Sequence, residues 1–352
     1  MPASRGPSKL PRYFLDLPED RVARPWDPHA GARPERPDTR YFAGVFREME
    51  PLLRDPEIEV HLTWDGARLP SSGSRVVAVL LRDDGGRLPR YVDRVKAVFK
   101  CYGTNPTLGT GPFRNPGITG LTELAQYGLR WARWLPGGFA HARMRALRRR
   151  RGLPPPAPVS TIPLGTFNQL DLPFLPMSQR PTDVFFAGSV EHGASLRRRM
   201  TPKTRARREM LSAVRALRLS CPELRIDVRV TSGFQASAEA SALAYSRGLM
   251  DARVCLAPRG TSVETFRVLE GLRAGCVVVS ERLPNHWFYR GAPLLQVDNW
   301  GQLDAVLAPI FAESTGMERF QAQARTWWRE RCSEAAIGRF LAERLNALDL
   351  GS

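Results

Sequence analysis

Along the second half of the chain, short unbroken apolar runs alternate with longer segments of mixed polarity. The runs "DVFFAGSV" (183–190), "LRIDVRV" (224–230), "ARVCLAP" (252–258) and "GCVVVSE" (275–281) have the length and β-branched content of strands. Between them, "TPKTRARREMLSAVRALRLS" (201–220), "SAEASALAYSRGLMD" (237–251) and "SVETFRVLEGLRA" (262–274) carry helical spacing. Thr201 is set to cap the first of these helices, with Pro202 at its first position. "VSTIPLG" (159–165) adds a short strand before the series. "APLLQV" (292–297) adds another before a helix that begins around "WGQLDAVLAPIF" (300–311). Strands this evenly apolar, alternating with helices, predict an α/β protein with a parallel sheet covered on both faces. Closing helices over roughly 315–346 hold Trp327 and Trp328 as packing residues.

The first half is less regular. Residues 1–38, rich in Pro, Arg and Asp, predict an extended arm, and organised structure is expected from "YFAGVF" (41–46) onward. "EIEVHLTWDG" (57–66) and "SRVVAVLLRDDGG" (74–86) read as strands feeding loops, and "YVDRVKAVFKCYGTNP" (91–106) as a short helix followed by a strand. "ITGLTELAQYGLRWARWL" (118–135) reads as loop and helical surface around an aromatic cluster. The basic helix end in "HARMRALRRRRGLPPPAP" should stop near Gly152, with Pro154 to Pro156 as a stiff connector. The expected organisation is an arm (1–38), an N-terminal domain (39–155), a C-terminal domain (156–314) and C-terminal helices (315–352).

A length of 352 residues suits two domains. The net charge of +17 favours anionic partners, or equally leaves a basic solvated face. Five widely separated cysteines lack zinc or redox spacing and fit reduced, mostly buried thiols. The N-terminus has no apolar core of a secretory signal, and no uninterrupted apolar run is long enough to span a membrane, so a cytoplasmic location is expected.

Chemistry concentrates where one strand hands over to one helix, in "CLAPRGTSVETFRVLEGLRAGCVVVSE" (255–281). Ligands of open α/β sheets sit beyond the carboxyl ends of strands, where a helix N-terminus attracts anions. Pro258 and Gly260 would shape the turn, Thr261 and Ser262 would cap the helix or donate to an anion, and Arg259 would fork onto a diphosphate. Glu270, about two turns on, would reach ribose hydroxyls, with Arg267 beside it. The plainer reading stands beside this one: Ser262 a simple cap, Arg267 and Glu270 a surface pair. A P-loop and a dinucleotide fingerprint are both missing from the sequence, which disfavours a P-loop ATPase and a dehydrogenase.

The run 254–279, "VCLAPRGTSVETFRVLEGLRAGCVVV", resembles the signature of the exostosin-type glycosyltransferases. "DVFFAGSV" after a "PLG" stretch and "RYVDRVKAVFKCYGTN" fit the same layout, and the resemblance covers 181–281. It implies a GT-B fold, with two Rossmann-like domains facing a cleft, and inverting transfer from a nucleotide sugar, UDP-linked by habit, with no obligatory metal or other cofactor. It also implies that Arg259 contacts the donor diphosphate, Glu270 the ribose, Gly260 to Ser262 the phosphate end, and that Arg267 supports the helix and diphosphate. The chain departs from the family at Val278, where members often have proline, and lacks the anchor and luminal disulfides of animal members. A cytosolic glycan or small-molecule acceptor, open to being anionic, is the expectation rather than a heparan-type polymer.

Inverting transfer needs a base near the acceptor hydroxyl. Asp65, Asp83 and Asp84 follow predicted strands of the N-terminal half and are the candidates, while His61 lies within a strand as a packing histidine. Gly188, Ser189, His192 and His286 are further candidates for the donor side. Arginine groups at 143–151 and 197–208, the second including Lys203, Arg205, Arg207 and Arg208, could steer a nucleotide sugar, hold an anionic acceptor or bind nucleic acid. A basic nucleic-acid-binding protein is an alternative, disfavoured because no zinc finger, helix-turn-helix or paired RNA-binding aromatics accompany them, and an inactive glycosyltransferase-like binding module is another.

Overall fold

The computed structural model describes residues 11–20, 22–31, 33, 36–82, 85–190, 201–231 and 239–349. Two sheets organise them. The first runs β2-β1-β3-β4-β5-β6, from β1 (Arg12–Asp16), β2 (Arg24–Pro25), β3 (Glu59–Thr63), β4 (Val76–Leu80), β5 (Ala97–Lys100) and β6 (Val159–Thr161). All its pairings are parallel except that of β2 with β1. The second runs β11-β10-β9-β7-β8, all parallel, from β7 (Thr182–Ser189), β8 (Ile226–Thr231), β9 (Ala252–Ala257), β10 (Val277–Glu281) and β11 (Leu294–Val297). The architecture is therefore α/β, with two sheet-and-helix lobes and C-terminal helices.

The second lobe follows the apolar runs closely. Its helices are α3 (Pro202–Ser220), α4 (Glu239–Asp251), α5 (Phe266–Arg273) and α6 (Leu303–Ala312). Thr201 caps α3 by accepting from the Thr204 amide at 3.3 Å. Phe185, Cys255 and Val278 pack into one hydrophobic cluster, while Phe186, Leu256 and Val279 pack into another on the opposite face of the sheet. Both faces being dry is why polar residues are so scarce within these strands. Arg180, almost fully buried, donates to the Ala274 carbonyl at the C-cap of α5 (2.5 Å) and to the Ala252 carbonyl just past α4 (2.6 Å). A guanidinium placed there satisfies carbonyls that helix ends leave without partners.

The first lobe differs from expectation in four places. Residues expected as an extended arm supply β1, which lies inside the sheet between β2 and β3, with Leu15 opposite Leu62. Tyr13 and Leu15 are buried there, so a five-residue strand survives among prolines because the sheet supplies partners on both sides. The segment 91–96 forms turns rather than a helix before β5. The stretch from 118 onward is one continuous helix, α2 (Ile118–Arg150), running through Pro136, and Gly152 at φ 63° follows its end. The short strand at 159–161 belongs to the first sheet, pairing with β5.

The chain then returns to its first lobe. After α7 (Ser314–Arg331), α8 (Glu334–Asp349) packs on α1 (Thr39–Met49), and the Tyr41 hydroxyl donates to the Cys332 carbonyl at 2.6 Å. One hydrophobic cluster therefore runs unbroken from Tyr13 and Phe46 through Ile337 to Cys255 and Val278, joining the lobes. Cys101, Cys255, Cys276 and Cys332 are buried within this fold, and each is a free thiol.

The α1–α8 contact is close enough to test. A Cβ at Gly338 would stand 2.7 Å from the Val45 carbonyl oxygen and 2.9 Å from the Met49 amide nitrogen, both backbone atoms that cannot rotate away. Gly338→Ala should lower stability by about 1–3 kcal/mol, read from urea denaturation. Gly128→Ala, where an added Cβ meets nothing within 4 Å, should instead raise it by roughly 0.5–1 kcal/mol.

Candidate active site

In the second sheet β7 leads to β8 on one side, while β9 leads through α5 to β10 on the other. Loops leaving β7 and β9 thus diverge, and an open α/β sheet binds ligands at such a switch point. A cavity of about 410 Å³ lies there. Ala187 to Ser189 from the end of β7, Gly260 to Ser262 from the turn after β9 and Thr265 to Arg267 from the start of α5 form its walls. Tyr102 from the first lobe and Phe167 and Asn168 from the segment joining the lobes close the side facing the first sheet.

Among the described residues, four cations line this space: Lys203 and Arg207 from the first turns of α3, Arg267 from α5, and Arg229 from β8, which pairs with Asp227 at 2.6 Å. Arg267 donates to the Ala187 carbonyl and lies over the Phe186 ring, 4.9 Å from its centroid. Its Nε is buried without a hydrogen-bond partner, and no carboxylate pairs with it among the described residues. Gly188, at φ 157°, passes so close that a Cβ would meet the Arg267 guanidinium at 2.5 Å. Arg207 donates to the Arg259 carbonyl (3.0 Å) and to the Ser189 carbonyl, joining the two diverging loops. Burial, then Arg207 and Arg267, pull the Lys203 pKa down to about 8. Burial and Arg267 pull Arg207 down as well. Like charges held together in a half-dry space are relieved by an anion between them.

The helix at this turn starts later than expected. Ser262 Oγ accepts from the Glu264 amide at 3.3 Å, a local turn that competes with helix formation, so α5 begins at Phe266 rather than at 261–263. Its cap residue, Thr265, makes no capping bond, and its Oγ1 is buried without a partner beside the cavity.

Arg259 and Glu270, set at the diphosphate and ribose by sequence, have protein partners here. Arg259 turns away from the cavity, pairing with Glu123 of α2 at 2.7 Å and donating to Gln126 at 3.1 Å. Glu270 lines the cavity, but its Oε1 accepts from the Phe167 and Asn168 amides (2.8 and 3.0 Å) and its Oε2 from the Tyr245 hydroxyl (2.6 Å). Gly188, Ser189, Gly260, Thr261, Ser262 and Arg267 are brought together around the cavity. His286 stands behind it, with Nε2 3.4 Å from Glu264, a wall residue. Asp65 is a turn residue on the first lobe: its carboxylate accepts from the Ala67 amide at 2.7 Å and lies 3.7 Å from Arg68. Asp83, Asp84 and His192 lie outside the described residues, as do Arg197 to Arg199.

Sequence reading missed Tyr245 and Asp38, and it named Lys203 and Arg207 only as members of the basic group at 197–208. Arg207 shares the buried stripe of α3 with Met210, Val214 and Leu217, and a cation at a core position was the signal available. Asp38 left no such trace. It occupies the N-cap of α1 but makes no capping bond; one oxygen accepts from Trp64 Nε1 at 3.1 Å, and Oδ1 is buried without a hydrogen-bond partner among the described residues. Asp38 lines a second cavity of about 190 Å³ that shares Tyr102, Phe167 and Phe266 with the larger one. Burial raises its pKa, opposed by Trp64 and by Arg36 and Arg82.

The depressed Lys203 pKa gives two pH effects of opposite sign. Between about 8 and the ordinary lysine value of 10.5 the unfolded chain binds a proton that the ligand-free folded chain does not, so stability should rise with pH across that window. A bound anion favours the protonated amine, so pyrophosphate affinity should fall by roughly tenfold from about pH 7 to about pH 9.5. Calorimetry in buffers of different ionisation enthalpy should show proton uptake on binding near pH 8, and Lys203→Met should abolish it.

No protein-family model matches the chain, and no curated protein matches it in sequence. Among solved structures, one titled "Crystal structure of GtfA/B complex" aligns with 79% of this chain at 11% identity and a TM-score of 0.40. The alignment covers 58% of that structure's chain, so this chain spans less than two thirds of its length.

Proposed function

We propose that the protein is a GT-B-type glycosyltransferase that moves a sugar from a nucleotide-sugar donor, UDP-linked by preference, to a hydroxyl of a glycan or small-molecule acceptor. The observation that carries this reading is the cationic cavity at the divergence of β7 and β9, bordered on one side by Tyr102 of the first lobe. A volume of about 410 Å³ suits a ligand of nucleotide size. Arg267, Lys203 and Arg207, with the start of α5, would hold the diphosphate and stabilise it as a leaving group. The base and ribose would lie toward Arg229, Tyr245 and Glu270, where the Glu270 carboxylate would rearrange its partners or orient the ribose through Tyr245.

Transfer also needs a proton acceptor on the far side of the anomeric carbon. Asp38 supplies one in a form that Asp65 does not: a buried carboxylate with one oxygen unpartnered and a raised pKa, in the cavity adjoining the donor site. An acceptor hydroxyl in the smaller cavity would lie between Asp38 and the donor, and its proton would pass to Asp38 as the new glycosidic bond forms and the bond to the diphosphate breaks. Among the described residues, no group of three or more His, Cys, Asp or Glu is arranged to hold a metal ion.

Calorimetric titration with UDP, GDP, ADP and dTDP, on the native protein and on Arg267→Ala, tests the donor site. One nucleotide, expected to be UDP, should bind saturably, and the substitution should weaken it by at least about tenfold. Asp38→Asn should leave that affinity within about twofold while slowing transfer to acceptor, or to water as donor hydrolysis, by roughly 100-fold or more. Flat traces with all four nucleotides would sink the reading.

A further inference from the structure

Helix α2 has its polarity reversed. At 33 residues it is about 50 Å long, and only Thr119, Gly120 and Glu123 are buried within it. The side turned to the molecule carries polar contacts at helical spacing: Glu123 pairs with Arg259, Arg130 donates to the Thr261 carbonyl (2.7 Å), and Trp134 donates to the Thr104 carbonyl (2.8 Å). The side turned to solvent carries Ile118, Leu121, Leu124, Leu129, Leu135 and Phe139, with Phe139 71% exposed. Phe113, just before the helix, is 96% exposed. A surface helix ordinarily shows the opposite arrangement.

Charge along the helix says what covers this stripe. The only acid in α2 is Glu123, which is buried and paired inward. Its C-terminal third carries Arg143, Arg145, Arg148, Arg149 and Arg150, and Arg151 follows as its C-cap. An apolar stripe flanked by arginines and free of acids complements a surface that is negative at its headgroups and apolar beneath them. A second copy of this chain would bring the same arginines and no exposed acid from its own α2. Among the described residues, no helix is long and apolar enough to cross a membrane, so the mode is lying on a surface.

We infer that the outer face of α2 is a docking surface for an anionic lipid bilayer, with the leucines and Phe139 entering the headgroup boundary and the arginines 143–151 held over it. The inference does not rest on the glycosyltransferase reading. It adds that the helix bracing the turn after β9 carries the membrane contact on its opposite side.

Flotation of the full chain with vesicles tests it. Vesicles with a third of their lipid as phosphatidylglycerol should bind at least about tenfold more tightly than phosphatidylcholine alone, and added salt should weaken that binding. Leu129→Glu with Phe139→Glu should abolish binding while leaving the urea midpoint and nucleotide titration unchanged, because both side chains are exposed. Arg149→Glu with Arg150→Glu should remove the preference for anionic vesicles. No flotation with either vesicle, or binding indifferent to the Leu129 and Phe139 changes, would overturn the inference. So would a dimer seen by light scattering that those changes dissolve, which would assign the face to a second copy. Capture of heparin or RNA lost only with the arginines, without vesicle binding, would assign it to a polyanion.

Discussion

The carboxylate of Glu270 is the constraint on which the cleft depends. It is buried at a position where a charge without partners would be costly, and it is satisfied by two consecutive backbone amides of the segment joining the lobes and by Tyr245 of α4. The Gln169 side chain adds a bond to the Glu270 carbonyl, and the Leu170 amide one to Ser246. Together these bonds fix Phe167, whose side chain borders both the larger and the smaller cavity. The lobes are thus tied at the cleft by hydrogen bonds that a single acid on α5 accepts. Close helix contact between α1 and α8 does the same at the far side.

The arginines divide along the same logic. Arg259 is buried against Glu123, with Glu281 4.0 Å from its Nε, and breaking such a pair costs about 3–5 kcal/mol because a charge is left without a partner. It therefore shapes the turn after β9 from behind. Arg229 of β8 also lines the cavity but pairs with Asp227, whereas on α3 and α5 Arg207 and Arg267 spend their bonds on backbone carbonyls and keep their net charge. A carbonyl partner orients a guanidinium without neutralising it, which suits a site whose ligand supplies the negative charge.

This division explains what was legible in the sequence. The second sheet could be read because both of its faces are dry, so β7, β9 and β10 are unbroken apolar runs. The turn 258–262 could be placed at the carboxyl end of the sheet, where Gly260 to Ser262 line the cavity, because strand-to-helix turns of such sheets point one way. β1 could not be read: five residues with two prolines nearby have no local reason to be a strand, and only β3 and β2 make them one. α2 was obscured by Pro136, Gly137 and Gly138 in its middle. Arg259 and Arg267 are indistinguishable in sequence, since which is neutralised depends on Glu123, 136 residues away. Asp38 was invisible because its use depends on the arrangement of Trp64, Leu81 and Phe167, which only the folded chain brings together.

Local rules of sequence and structure are broken in three conspicuous places, and all three adjoin one cleft. Arg207 sits on the buried stripe of α3 with Lys203 half-buried one turn before it, the cap aspartate of α1 makes no capping bond and leaves one buried oxygen without a partner among the described residues, and α2 puts its apolar side outward. Each departure costs stability where it occurs: desolvated charge, an unmet hydrogen bond, exposed apolar surface. Sequences hold such departures where function requires them and satisfy the rules elsewhere. The dry second sheet and the continuous core joining the lobes are where the rules are satisfied. α2 ties the two conditions together, because its inner face braces the turn beside the cavity through Glu123 and Arg130 while its outer face is left without a protein partner among the described residues. Whatever settles on that outer face therefore acts on a helix already bonded to the wall of the site.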